Sequence, residues 1–208
     1  MERFQEIQNA LNWDTYTTGG LPSEGQEIWV QWEPPERGWK VLNIDGAVSG
    51  MPLRGGAGGV IRGEDGEWLL GFSENVGQCS VAKAELRALI RGLKIAKEIP
   101  TPKLWVRSDS SNIIDSISKP IDYHQELSPL LQHCRELINW EGWEGKVSHC
   151  FRETNRVADK LAKLGLTMSL GVWIHREPPV ETHDALYDDR RGYPGLGLYI
   201  INNINMGF

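Results

Sequence analysis

The chain of 208 residues predicts an α/β fold, a five-stranded mixed sheet with helices on both faces. Three observations carry this reading. Short strand-like runs alternate with longer runs whose apolar residues recur every three or four positions. Their order is β-β-β-α-β-α-α-β-α, which needs hairpins at the start and crossovers later. The Gly63-Glu64-Asp65-Gly66 stretch supplies the Asp-Gly signal of a hairpin between two of the early runs.

Residues 1–38 read as a leader, interrupted by Gly19, Gly20, Pro22, Gly25, Pro34 and Pro35, with 28–32 as its one strand-like stretch. A domain is expected over 39–168. Its first strand is 40–47, its second 58–62 and its third, after the turn, 67–73. A helix over 81–98 follows, with Leu86, Leu89, Leu93 and Ala96 as its apolar stripe, Ser80 as N-cap and Pro100 enforcing the stop. The fourth strand is 103–108, and a short helix over 110–118 ends before Pro120. The next helix, 128–140, places Leu130, Leu131, Cys134, Leu137 and Ile138 on one side. The fifth strand is 145–151, and the last helix, 155–167, buries Val157, Leu161 and Leu164 behind a Thr154 or Asn155 cap. Residues 169–208 are expected as a C-terminal tail, extended through Pro178-Pro179 and the charged run 188–191. Its apolar, Asn-rich end, 199–208, is open to three readings: an added strand, a packing segment or disorder.

Composition narrows the function. Apolar content of 40% and charged content of 24% are globular values. A net charge of −6 and a pI of about 5.4 exclude a protein that grips nucleic acid through bulk positive charge. Three cysteines without paired spacing fit a reduced intracellular protein, of nucleus or cytoplasm. The absence of a signal-peptide pattern or a long apolar run argues against secretion and membrane spanning. The Gly55-Gly56-Ala57-Gly58-Gly59 run is not a phosphate loop, since a strand rather than a helix N-terminus follows it. Arg87, Arg91, Lys94 and Lys97, at helical spacing, read as a solvated face.

Four carboxylates stand in informative settings: Asp45 in VLNIDGA, Glu85 in AKAELRAL, Asp109 in LWVRSDSS and Asp159 in NRVADKLA. Two end predicted strands and two lie in the first turns of predicted helices, where negative charge is favoured. Such a cluster repels itself unless cations neutralise it. The chemistry that most often needs it is in-line attack on a phosphodiester with two ions about 3.5–4 Å apart. Any one of these residues alone would read as solvated surface, and His149 alone as a structural histidine.

The segments WKVLNIDGAVSG, GAGGVIRGEDGEWLLGF, AKAELRALIRGL, VRSDSSNII and VSHCFRETNRVADKLAKLG resemble the ribonuclease H family over about residues 39–166. The likeness is to the plant-type ribonuclease H-like domain at the C-terminal end of non-LTR retroelement reverse transcriptases and to its stand-alone relatives. The resemblance implies a ribonuclease H-like fold and cleavage of the RNA strand of RNA–DNA hybrids. It implies that Asp45, Glu85, Asp109 and Asp159 bind two Mg²⁺ or Mn²⁺ ions. It further implies that His149 assists product release or proton movement. Candidate substrate contacts are Gly46, Ala47, Ser80 and Asn155, acting on RNA 2′-hydroxyls.

Some relatives hold the hybrid with a basic loop between the second and third helices. Residues 119–127, with Asp122 and Glu126, replace that loop here without a basic cluster. Weak hybrid affinity and strong dependence on salt and metal are therefore expected, with a partner or fused domain delivering substrate. Two rivals remain: a non-catalytic nucleic-acid-binding or interaction module of the same fold, and a 3′–5′ exonuclease or DNA-joining enzyme on a related fold.

Overall fold

The computed structural model describes residues 26–119, 126–193 and 195–199. The expectations for 1–25, for most of the 119–127 loop and for the 200–208 end lie outside the described residues. The elements are β1 (Gln26–Val30), β2 (Lys40–Ser49), β3 (Arg54–Arg62), β4 (Trp68–Gln78), α1 (Val81–Ala96), β5 (Lys103–Ser108), α2 (Ser111–Ser118), α3 (Ser128–Ile138), β6 (Glu144–His149), α4 (Arg156–Thr167), β7 (Gly171–His175), α5 (His183–Arg191) and β8 (Gly195–Tyr199).

The mixed α/β sheet is present, with six strands rather than five, in the order β6-β5-β2-β3-β4-β7. The added strand, β7, runs antiparallel to β4, pairing Gly71 with His175 and Asn75 with Gly171. Its five residues sit at a sheet edge with little burial, so they carry almost no apolar signature. A separate two-stranded sheet joins β1 to β8, which sequence reading left unpaired.

Strand β2 is antiparallel to β3 and parallel to β5, and β5 is parallel to β6. One face is covered by α1, α2 and α3, which bury Leu86, Leu89, Leu93, Ile113, Ile114, Ile117, Cys134 and Leu137 against Leu42, Ile44, Leu104 and Val106. The opposite face buries Val60 under Val157 and Leu161 of α4 and Ala185 and Leu186 of α5. Alternation along β2 thus sends Leu42 and Ile44 to one layer and Asn43 and Asp45 to the other.

Two differences from expectation have packing causes. Strand β3 begins at Arg54 and so includes the whole glycine run, because α4 crosses it at close range. A Cβ on Gly56 would lie 2.1 Å from the Ala162 oxygen, and one on Gly58 would lie 2.1 Å from the Ala162 nitrogen. Helix contact overrides the poor strand propensity of glycine. Gly58→Ala should therefore destabilise by about 3 kcal/mol, although alanine ordinarily improves a strand. An unchanged urea midpoint would contradict this packing. The second difference is α5, where an extended tail was expected. It forms because Ala185 and Leu186 bury and its acidic side meets cations on α4, Arg156 with Asp188 at 2.6 Å and Lys160 with Asp184 at 3.1 Å. Gly192, at φ 64°, ends it in the left-handed conformation.

The basic face of α1 is also partly engaged. Arg87 pairs with Glu74, and the Arg91 Nε meets the Glu74 Oε2 at 2.9 Å. Glu74 is buried on β4, so these arginines neutralise an interior carboxylate. Among the described residues, no helix is long and apolar enough to cross a membrane.

Candidate active site

Register brings the strand ends together. Ile44 of β2 pairs with Ser108 of β5, and Ser108 pairs with His149 of β6. Asp45 and Asp109 each follow that row by one residue, where the parallel pairing of β2 with β5 stops; β5 ends there, whereas β2 runs on beside β3 to Ser49, past the expected strand end at 47. Helix α1 reaches the same place because Gly46 lacks a side chain. A Cβ there would lie 2.4 Å from the Glu85 nitrogen. Glu85, one turn into α1, is thereby held against β2 beside Asp45. Asp159, in the first turn of α4, enters from the other layer.

The four carboxylates feel one another. Burial, then the charges of Asp109 and Asp159, push the Asp45 carboxyl up to about 8. Burial, then the charges of Asp45 and Asp109, push Glu85 up to about 9. The Gly46 N–H favours both ionised forms, and Arg152 favours that of Asp45, without offsetting these costs. The Glu85 Oε2 is buried and has no hydrogen-bond partner. A buried, partnerless oxygen among mutually repelling carboxyls is a donor set suited to a hard divalent cation. Among the described residues, no three Asp, Glu, His or Cys side chains are gathered in an arrangement that holds a metal as they stand. Asp159 is instead turned to Lys163, with 2.7 Å between Oδ2 and Nζ.

The remaining predicted residues divide by role. His149 ends β6, its Nε2 3.2 Å from the Asp109 carbonyl oxygen, with its ring edge-on to Phe151. Gly46 and Ala47 are half-buried in β2, directly after Asp45. Ser80 caps α1, its Oγ accepting from the Lys83 N–H at 3.3 Å. Asn155 is buried, and its amide nitrogen donates to the Asp109 Oδ1 at 3.0 Å and to the Ile44 carbonyl at 2.9 Å. Its oxygen accepts from the Asn43 Nδ2 at 3.1 Å. Asn155 therefore supports Asp109 from behind, with both of its amide hydrogens engaged.

Two residues near the carboxylates escaped the sequence reading. Asn43 was legible in principle, since it stands two positions before Asp45 and so on the same face of the strand. Arg152, in the short 3₁₀ turn Arg152–Thr154, carried no signal, because only the fold brings it towards Asp45.

Comparison with known proteins agrees with this fold. Residues 43–165 match the reverse transcriptase-like family. A protein of Arabidopsis thaliana provisionally named a ribonuclease H protein is 36% identical over 173 residues, 83% of this chain and 28% of that protein. The chain thus spans little more than a quarter of that relative's length. Among solved structures, the RNase H1 of the halophilic archaeon Halobacterium salinarum superposes with a TM-score of 0.56 at 26% identity, covering 62% of this chain and 97% of that one. LC11-RNase H1, solved in complex with RNA/DNA hybrid, superposes with a TM-score of 0.51 at 24% identity, covering 62% and 96%.

Proposed function

The chain belongs to the reverse transcriptase-like family and carries a ribonuclease H-like domain, and on that premise we propose that it is a divalent-metal-dependent endonuclease acting on the RNA strand of RNA–DNA hybrids. The observation that carries the proposal is the row Ile44–Ser108–His149, which sets Asp45 beside Asp109 with Glu85 and Asp159 facing them across two layers.

Asp45, Glu85, Asp109 and Asp159 would hold two ions, Mg²⁺ or Mn²⁺. Such ions acidify an attacking water and neutralise the charge that develops on a phosphodiester. The chain's own residues do the rest. Gly46 keeps α1 close enough for Glu85 to face Asp45. Asn155 fixes the Asp109 carboxylate. Asp159, paired with Lys163, would have to leave it to join the other three carboxylates. His149, beside the Asp109 backbone, would assist product release or proton movement. The backbone at Gly46 and Ala47 would contact the sugar, where a 2′-hydroxyl distinguishes RNA from DNA.

The test is incubation of end-labelled RNA–DNA hybrid, RNA duplex and DNA duplex with the protein and Mg²⁺. Internal cuts in the RNA strand of the hybrid alone, stopped by EDTA, are expected. Release of terminal nucleotides only, or no cleavage, would refute the proposal. The acidic balance of the chain and the Lys163–Asp159 pair favour one second reading, a module that binds hybrid without turnover. Binding should also be weak and carried by a few phosphate contacts. Raising salt from about 50 to 200 mM then weakens it by about tenfold. A salt-independent dissociation constant in a filter-binding titration would contradict that.

A further inference from the structure

A buried polar chain links the C-terminal helix to the site. Asp189 of α5 meets the Arg62 Nη1 at 2.6 Å. The Arg62 Nη2 donates to the Asn43 Oδ1 at 3.2 Å, and the Trp32 Nε1 donates to the same oxygen at 3.2 Å. Asn43 then donates to Asn155, and Asn155 to Asp109. Arg62 and Asn155 are each 1% exposed, and Asn43 is fully buried.

The direction of every bond in this chain is forced. Guanidinium and indole N–H groups only donate, so the Asn43 oxygen must face them. Its amide nitrogen must then face Asn155, which has to answer with its oxygen. The Asn155 nitrogen is thereby left pointing at Asp109 and the Ile44 carbonyl. Were Asn43 to flip, two donors would confront its NH₂ in a buried setting, a cost of about 1–3 kcal/mol for each unmet group. Arg62 also stacks on Trp32, its Cζ 3.4 Å from the ring centroid, so it holds the second donor in place as well.

We infer that Asp189 and Arg62 are positioning residues for the active site, and that α5 sets the orientation of the Asp109 carboxylate through Asn43 and Asn155. Helix α5 and Asp189 lie beyond residues 43–165, the stretch matched by the family, so this control belongs to the C-terminal segment. The inference rests on the nuclease reading for its effect on turnover, but not for its effect on Asn155.

Asp189→Asn alone would leave a buried guanidinium unpaired and would threaten folding. The decisive variant is the pair Arg62→Met with Asp189→Leu, which removes both charges at similar volume. The double variant should fold, with a far-ultraviolet spectrum like the parent's. Its kcat on hybrid should fall about 10–100-fold, as for lost support behind a metal-holding group. KM should stay within about twofold, because neither residue touches substrate. In the metal-free protein, the Asn155 side-chain NH₂ signals should lose protection from hydrogen exchange by about tenfold or more. A folded double variant with unchanged kcat, or with unchanged Asn155 exchange, overturns the inference. A parent that does not cleave at all overturns the nuclease reading instead, and Asn155 exchange then decides the positioning claim alone.

Discussion

Asp109→Asn should abolish hybrid cleavage while leaving the fold intact. The side chain stands one residue past the end of β5, half-buried, and its Oδ1 accepts from Asn155. An amide of the same shape can keep its place there, with its oxygen toward Asn155. What it loses is the negative charge that a cation needs. Metal assistance is worth several kcal/mol of transition-state stabilisation, so the rate should fall by about 1000-fold or more. Binding of hybrid should change far less, because phosphate contacts and not Asp109 carry it. Cleavage by the variant within tenfold of the parent would remove Asp109 from the site. A variant that has lost its far-ultraviolet spectrum would instead make Asp109 a folding residue.

The second large effect is on stability. In the unfolded chain Asp45 and Glu85 lose their protons near 3.8 and 4.5, whereas in the folded, metal-free chain they hold them to about 8 and 9. Between those limits the folded state binds more protons than the unfolded state. Stability must therefore fall as pH rises through that window and flatten above about 9. Scanning calorimetry in EDTA should show Tm declining from pH 5 to pH 9. Asp45→Asn removes one of the repelling charges. At pH 8 the variant should be more stable than the parent by about 1–3 kcal/mol, which for a chain of this size is about 2–10 °C in Tm. Mg²⁺ should raise the Tm of the parent and do much less for the variant. A metal-free Tm that is flat from pH 5 to 9, or a destabilised variant, would show that the carboxyls do not burden one another.

The strands and helices around the four carboxylates were legible because each is a run with one strong period. Helix α1 announces itself through Leu86, Leu89 and Leu93, and β5 through its ending at Ser108. Strand β2 carries its carboxylate four residues before its end, because pairing with β3 continues past Asp45 to Ser49. Strand β3 was legible only in its second half, because glycine carries no hydrophobic signal and its reason for being there is α4, a hundred residues away. Strand β4 runs on to Gln78 past the expected end because Glu74 is buried with arginines from α1, a pairing that periodicity does not display. Helix α5 was hidden by its own charges: Asp184, Asp188 and Asp189 look solvated until Arg62, Arg156 and Lys160 arrive from elsewhere in the chain. The candidate site shows the same division. The carboxylates stand out singly, each in its own motif. The bonds that aim them, from Asp189 to Arg62 across 127 positions and from Asn43 to Asn155 across 112, exist only after folding.

Asp45, Glu85, Asp109 and Asp159 are expected to share divalent cations, and anomalous scattering from crystals soaked in Mn²⁺ measures that directly. Peaks within about 2.0–2.4 Å of the Asp45, Glu85 and Asp109 carboxylate oxygens are predicted, with Asp159 released from Lys163. Crystals saturated with Mn²⁺ that show no peak among these carboxylates, or show Asp159 still bound to Lys163 with Glu85 Oε2 unpartnered, would contradict it.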